Sequence, residues 1–257
     1  MEIRGISVLT TLGLCLLVMQ IRGAQHTEVA QRGSVRLQAK LQTHVTNCQL
    51  DADDFVDALL KVASEYKIPM GMAWVRTTAA MRGVKLSKKD ATVEEIIQAL
   101  VKTQPEYTMT TKNGLVHIFA PGLVPDRENF LRLKVPEFEV QNQVVELAER
   151  RLGDIVNATV YPPKPVAGGV RGGTGSSLGV EVGDPDLTLK LQDVTVEDTL
   201  DALTLASDRG VWIVTFAPAG ELTPTGFRQM ESPVSTEALP HPAKPLWELL
   251  KWGRKPY

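Results

Sequence analysis

The residues that could do chemistry are few and scattered. Four histidines, His26, His44, His117 and His241, lie far apart, and none has a second histidine three or four residues away to share a helical metal site. His117 falls in a predicted hairpin strand, where a solvent-facing side chain is expected. The carboxylate pairs Asp53/Asp54, Glu94/Glu95 and Glu197/Asp198 fall in first helical turns, where the positive end of the helix dipole accounts for them. Gly168 to Gly173 has the glycine spacing of a phosphate-binding loop, but Thr174 stands where that loop needs lysine. Gly173 and Gly175 begin a dinucleotide fingerprint that fails at Leu178, where its third glycine belongs. These patterns predict no catalytic residue, no metal ligand and no cofactor.

Bulk properties narrow the class further. The chain has 257 residues, 43% of them hydrophobic and 23% charged, which suits a globular protein with a real core. Its net charge of −2 lacks the basic excess of a nucleic-acid binder, so no nucleic-acid partner is expected. Aromatics make up 5%, too few for a base-stacking platform. Ile6 to Met19 is an apolar run with Arg4 before it and Gly23 and Ala24 after it. That pattern predicts a secretory signal peptide over residues 1–24, with an uncleaved anchor or lipid attachment at Cys15 as alternatives. The run is shorter than the roughly 20 residues a membrane span needs. The chain is therefore expected to be exported, to the periplasm or the outer-membrane periphery. Removal of the signal leaves Cys48 as the single cysteine, without an internal disulfide, and its expected role is a small buried residue.

The elements that must position these residues follow from periodicity. Residues 25–44 read as a linker. Val45–Leu50 predicts a strand and Asp51 a helix N-cap, with Phe55, Leu59 and Val62 on one apolar face. Met70–Val75 reads as extended, and Val84 and Leu86 alternate as in a strand. Thr92-Val-Glu-Glu95 is a capping box opening a helix with Ile96, Ile97 and Leu100 buried. Tyr107–Thr111 and Leu115–Ala120 predict a hairpin around Asn113-Gly114. Further on, Leu131–Val140 predicts a strand with a bulge at Pro136, Asn142 a helix cap, and Ala158–Tyr161 a short strand. Leu187–Leu191, a helix opened by Thr195-Val-Glu-Asp198, and Val211–Ala217 complete the ordered part. Pro162–Pro185 and Pro218–Pro245 read as loop and disordered stretch.

Two of these helix openings match. At one constant spacing, Leu86, Asp90, Thr92, Val93, Glu94, Ala99 and Leu100 align with Leu189, Asp193, Thr195, Val196, Glu197, Ala202 and Leu203. The earlier helices align with Phe55 near Val144, the second copy carrying a Gly-rich insertion over 164–186. The expected fold class is α+β, two small βαββαβ-type modules with helices packed against short sheets.

The first copy resembles the secretin and TonB short N-terminal domain (STN). The resemblance rests on Leu50-Asp-Ala-Asp-Asp-Phe-Val-Asp-Ala-Leu59, Val84-Lys-Leu86, Asp90 to Leu100, and Tyr107 through Ile118. It covers residues 45–121 well and a divergent second copy, 130–218, more weakly. It implies two helices between small sheets in a periplasmic docking module, and it supplies no catalytic residue. No barrel-forming segment follows, so an adaptor or assembly component of a secretin, pilus or TonB-dependent system is expected. The alternative is a periplasmic small-ligand binder or enzyme using the cleft between the copies.

Residues 219–257 form a Pro-rich tail ending in Leu246-Trp-Glu-Leu-Leu-Lys-Trp252, which reads as a short amphipathic helix for a partner groove, a membrane surface or the protein's own body. The candidate partner-binding residues are Tyr107 and Met109 on the hairpin edge and Leu246, Trp247, Leu250 and Trp252 in the tail. The partner is expected to be another envelope protein or a second copy.

Overall fold

The computed structural model describes residues 33–75, 77–124, 129–160, 186–207, 209–216 and 247–250. The fold class is α+β. Residues 33–41 form a helix, α1, where a linker was expected; Leu37 and Leu41 give it a buried stripe at four-residue spacing. The remaining elements are β1 (His44–Ala52), α2 (Phe55–Tyr66), β2 (Met70–Val75), β3 (Val84–Thr92), α3 (Val93–Val101), β4 (Thr108–Lys112), β5 (Leu115–Phe119), β6 (Lys134–Gln143), α4 (Val145–Val160), β7 (Leu187–Thr195), α5 (Val196–Ala206), β8 (Val211–Phe216) and β9 (Trp247–Leu250).

Local chemistry explains most boundaries. Asp54, not Asp51, caps α2, because β1 runs on through Ala52; Asp54 Oδ1 accepts from the Asp57 amide at 2.7 Å. Thr92 with Glu95, and Thr195 with Asp198, form reciprocal capping boxes at the starts of α3 and α5. Asn113 and Gly114 both take positive φ (53° and 86°), the pair that a type I′ hairpin needs.

The matched positions of the two halves take matched conformations. Asp90 and Asp193 are both left-handed, with φ 48° and 53°. Ribbon β1–β3 begins with His44 opposite Thr92, and ribbon β6–β7 with Lys134 opposite Thr195. The second half departs elsewhere. Ala158 to Val160 continue α4 instead of forming a strand. Asn142 does not cap that helix; it lies in β6 with φ 49°, its amide donating to Thr188 Oγ1. The β6–β7 register shifts between Val140 and Gln143 and not at Pro136.

Strands of both halves meet in one sheet. The central sheet has the order β4-β5-β2-β8-β9. β2 pairs parallel with β5 on one side and with β8 on the other, while β4 and β9 add antiparallel at the two edges. The tail segment at Trp247–Leu250 is therefore a strand on β8 and not a helix: its partner is an open ladder, and pairing overrides the weak helical periodicity of four residues.

Strand alternation sends side chains to both faces of this sheet. Met70, Met72, Val116 and Ile118 join α2 and α3 in one core; Ala73, Leu115, Trp212 and Val214 join α4 and α5 in a second. The ribbons β1–β3 and β6–β7 close the outer sides of these cores. Gly71 in β2 lies between His117 of β5 and Trp212 of β8 in register. A Cβ on Gly71 would lie 2.4 Å from the Trp212 indole carbons, so only glycine lets that ring cross β2.

Gly71→Ala is expected to destabilise the fold by about 1–3 kcal/mol in urea denaturation through overpacking. The same change should cost less in a Trp212→Leu background, where the indole no longer fills the space. Equal costs in both backgrounds would contradict the steric account.

Candidate functional site: the polar seam between the halves

Three acidic side chains on the first turns of α5 meet the β4–β5 hairpin. Glu197, Asp198 and Asp201 come from the second half; Lys112, Asn113 and His117 come from the first. Lys112 Nζ lies 2.8 Å from Asp198 Oδ1 and 3.3 Å from Glu197 Oε1. Asn113 Nδ2 donates to Asp198 Oδ1 at 3.1 Å and to Asp201 Oδ2 at 3.0 Å. Trp212 Nε1 donates to the other Asp201 oxygen at 2.9 Å. The His117 ring stands edge-on to Trp212 at 5.7 Å, above Gly71. Its Nδ1 is 3.3 Å from Glu197 Oε1; its Nε2 is 3.2 Å from Asp201 Oδ2, off the line of a hydrogen bond.

The seam is buried. His117 is 4% exposed and Asp201 1%. His117 is thus not solvent-facing as expected, because α5 covers the hairpin face that a lone two-sheet module would leave open. Continuous apolar runs at Met70–Val75 and Val211–Phe216 were the signal: strands buried on both faces read that way.

Burial alone would push the Asp198 carboxyl up, but hydrogen bonds from Lys112 and from Thr195 outweigh it and hold the group well below the usual carboxylate range. Burial pulls the Lys112 ammonium down, and its bonds to Asp198 and the charge of Glu197 reverse that and raise it. The helix dipole at the start of α5 adds to the stabilisation of these anions.

His117, Glu197 and Asp201 bring potential metal-ligand atoms within 4.8 Å of one another. Their oxygens already face Lys112, Asn113 and Trp212, one cation and two neutral donors. A His–carboxylate pair could also move a proton. Among the described residues no serine lies in this cluster, and His117 and Asp201 are both buried. The described cleft lies elsewhere, at the C-terminal ends of β2, β5 and β8, lined by Ala73, Phe119, Asn129, Arg132 and Phe216 among others; its volume is about 30 Å³, space for one or two waters.

Of the residues singled out from sequence, those the structure describes fall in separate places. Tyr107 is in the core, its ring 5.0 Å from that of Phe55 and its hydroxyl donating to Val75 O while accepting from Val75 N. Burial pushes its phenol up to about 12, against the backbone bond at Val75. Met109 lies half-buried on edge strand β4. Trp247 and Leu250 pair with Val214 and Val211 in β9, on the opposite edge of the sheet. Leu246 and Trp252 lie outside the described residues, as do the signal segment 1–24, the Gly-rich stretch and Pro218–Pro245. That Gly-rich stretch also spells Gly175-Ser-Ser-Leu-Gly179, the letters of a nucleophile elbow, without a predicted strand leading into it.

No family model matches the chain, and no curated protein or solved structure matches it either.

Asp201→Ala strands the buried Trp212 N–H and Asn113 amide and is expected to cost about 2–4 kcal/mol, read by urea denaturation. A loss under about 0.5 kcal/mol, the size of an ordinary surface change, would contradict the seam. The depressed Asp198 carboxyl stabilises the fold fully above its ordinary value, about pH 3.9, and that stability drains as pH falls below it. Urea midpoints between pH 5 and pH 2 should therefore fall more steeply for the native chain than for Asp198→Asn.

Proposed function

We propose that this chain is a non-catalytic protein-interaction module of the cell envelope, an adaptor or assembly component built from two STN-like copies. The observation that carries the reading is where the chemistry goes. The converging acids, imidazole and amide partner one another across the seam, with His117 and Asp201 buried at its inner end, while strand β4 presents an exposed edge. The first half has the order expected of an STN-like module, with α2 and α3 between ribbon β1–β3 and the central sheet. The matched capping boxes, left-handed aspartates and ribbon registers support a duplication. The secretory pattern at residues 1–24 supports export. The partner is an envelope protein or a second copy, with peripheral membrane contact through the C-terminal tail.

A photo-crosslinker at Thr110, on the exposed face of β4, tests this in cells. The expected outcome is a chain in the envelope fraction joined to an envelope protein identified by mass spectrometry. A chain retained in the cytoplasm with no adduct, or turnover of a metabolite panel by the purified chain, would overturn the reading.

A further inference from the structure

We propose that His117, Glu197 and Asp201 hold one divalent transition-metal ion, with zinc the best match, and that the ion ties α5 to strand β5. The proposal goes beyond the interaction reading and does not depend on it.

The spacing comes first. Glu197 and Asp201 are four residues apart on α5, so both carboxylates leave the same face of the helix. His117 reaches that face from β5. One ligand atom from each residue lies within 4.8 Å of the other two. Nε2 of His117 is 3.2 Å from Asp201 Oδ2, and Nδ1 is 3.3 Å from Glu197 Oε1. Two ligands about 2.0 Å from a tetrahedral ion stand roughly 3.3 Å apart. Glu197 is the outer, partly exposed ligand, and a side-chain rotation brings it onto an ion at Nε2.

The imidazole itself calls for a ligand. The ring is buried, and Nε2 has no hydrogen-bond partner among the described residues. A proton on Nε2 shared with Asp201 would put the N–H in line with Oδ2, and the ring stands off that line. An ion bonded to both atoms sits off the line between them by necessity, so the misalignment suits a metal.

Charge points the same way. In their ionised forms Glu197, Asp198 and Asp201 bring three negative charges. Among the described side chains in contact with them, Lys112 brings one positive charge. Asn113 and Trp212 donate but are neutral. A neutral imidazole leaves the seam two charges negative, which a divalent ion balances. Lys112 does not take that place: it lies closer to Asp198 (2.8 Å) than to Glu197 (3.3 Å), and Asp198 is not one of the three. Trp212 and Asn113 orient Asp201, as outer donors do for metal-binding carboxylates. One imidazole with two carboxylates suits zinc, cobalt or nickel better than magnesium or calcium, which take oxygen ligands.

The test is equilibrium dialysis of the chelator-treated full chain against zinc, with elemental analysis and melting curves. The native chain is expected to retain one zinc ion and to melt higher with zinc than with magnesium or calcium. His117→Gln should weaken zinc binding about tenfold or more, since even a lost outer donor costs that much. Glu197→Gln, at the partly exposed end of the seam, should do the same with the core undisturbed. Glu94→Gln, at the matching position of α3, should bind zinc as the native chain does. So should a chain with His26, His44 and His241 all changed to Gln. Circular dichroism shows which variants fold; if His117→Gln does not, Glu197→Gln decides. A native chain without stoichiometric zinc overturns the proposal. So does zinc binding that survives either change in a folded chain, or that is lost with the other three histidines. The Thr110 crosslink reads the interaction module separately, and neither result implies the other.

Discussion

Gly71 has no Cβ, and the indole of Trp212 occupies the space where one would be. That contact lets the second half lay β8 beside β2 with its largest side chain turned toward α5. It also brings Trp212 to His117 across the strand and puts the indole N–H within reach of Asp201. A side chain at position 71 would force β8 away from β2, and the seam would lose the geometry that satisfies its buried carboxylates. β2 thus serves both halves: it pairs with β5 of the first and with β8 of the second.

The seam has an electrostatic logic of its own. A buried carboxylate is costly unless donors surround it. Asp201 has the Trp212 and Asn113 N–H groups, and Asp198 has Lys112 and the Thr195 cap. Every one of those donors except the cap comes from a strand or turn of the central sheet, so the acids are tolerable only when the hairpin and α5 are docked together. Polar complementarity of this kind fixes which surfaces meet and in what register. The apolar cores on the two sheet faces supply most of the driving force, since they bury the larger share of side chains.

What could be read from sequence was local. The capping boxes at Thr92 and Thr195 and the Asn113-Gly114 turn depend on residues three or fewer apart, and each took the conformation its residues dictate. What could not be read was set by partners distant in the chain. Residues 33–41 are polar enough to pass for a linker until Leu37 and Leu41 find the first core. Ala158 to Val160 are strand-like by composition but continue α4, whose buried face at Ala148, Leu152 and Val156 packs into the second core. The segment at Trp247 has helical spacing over too few residues to resist an open β8 edge. His117 was legible as a strand residue, and the layer that buries it was not, because α5 arrives 80 residues later.

The central claim is that the two halves share one sheet and fold as one unit despite their matched local signals. Differential scanning calorimetry of the intact chain tests it most directly. The account predicts a single transition whose calorimetric and van't Hoff enthalpies agree. Two resolved transitions, or a calorimetric enthalpy near twice the van't Hoff value, would mean that the halves unfold independently and that the Gly71–Trp212 contact and the seam do not join them.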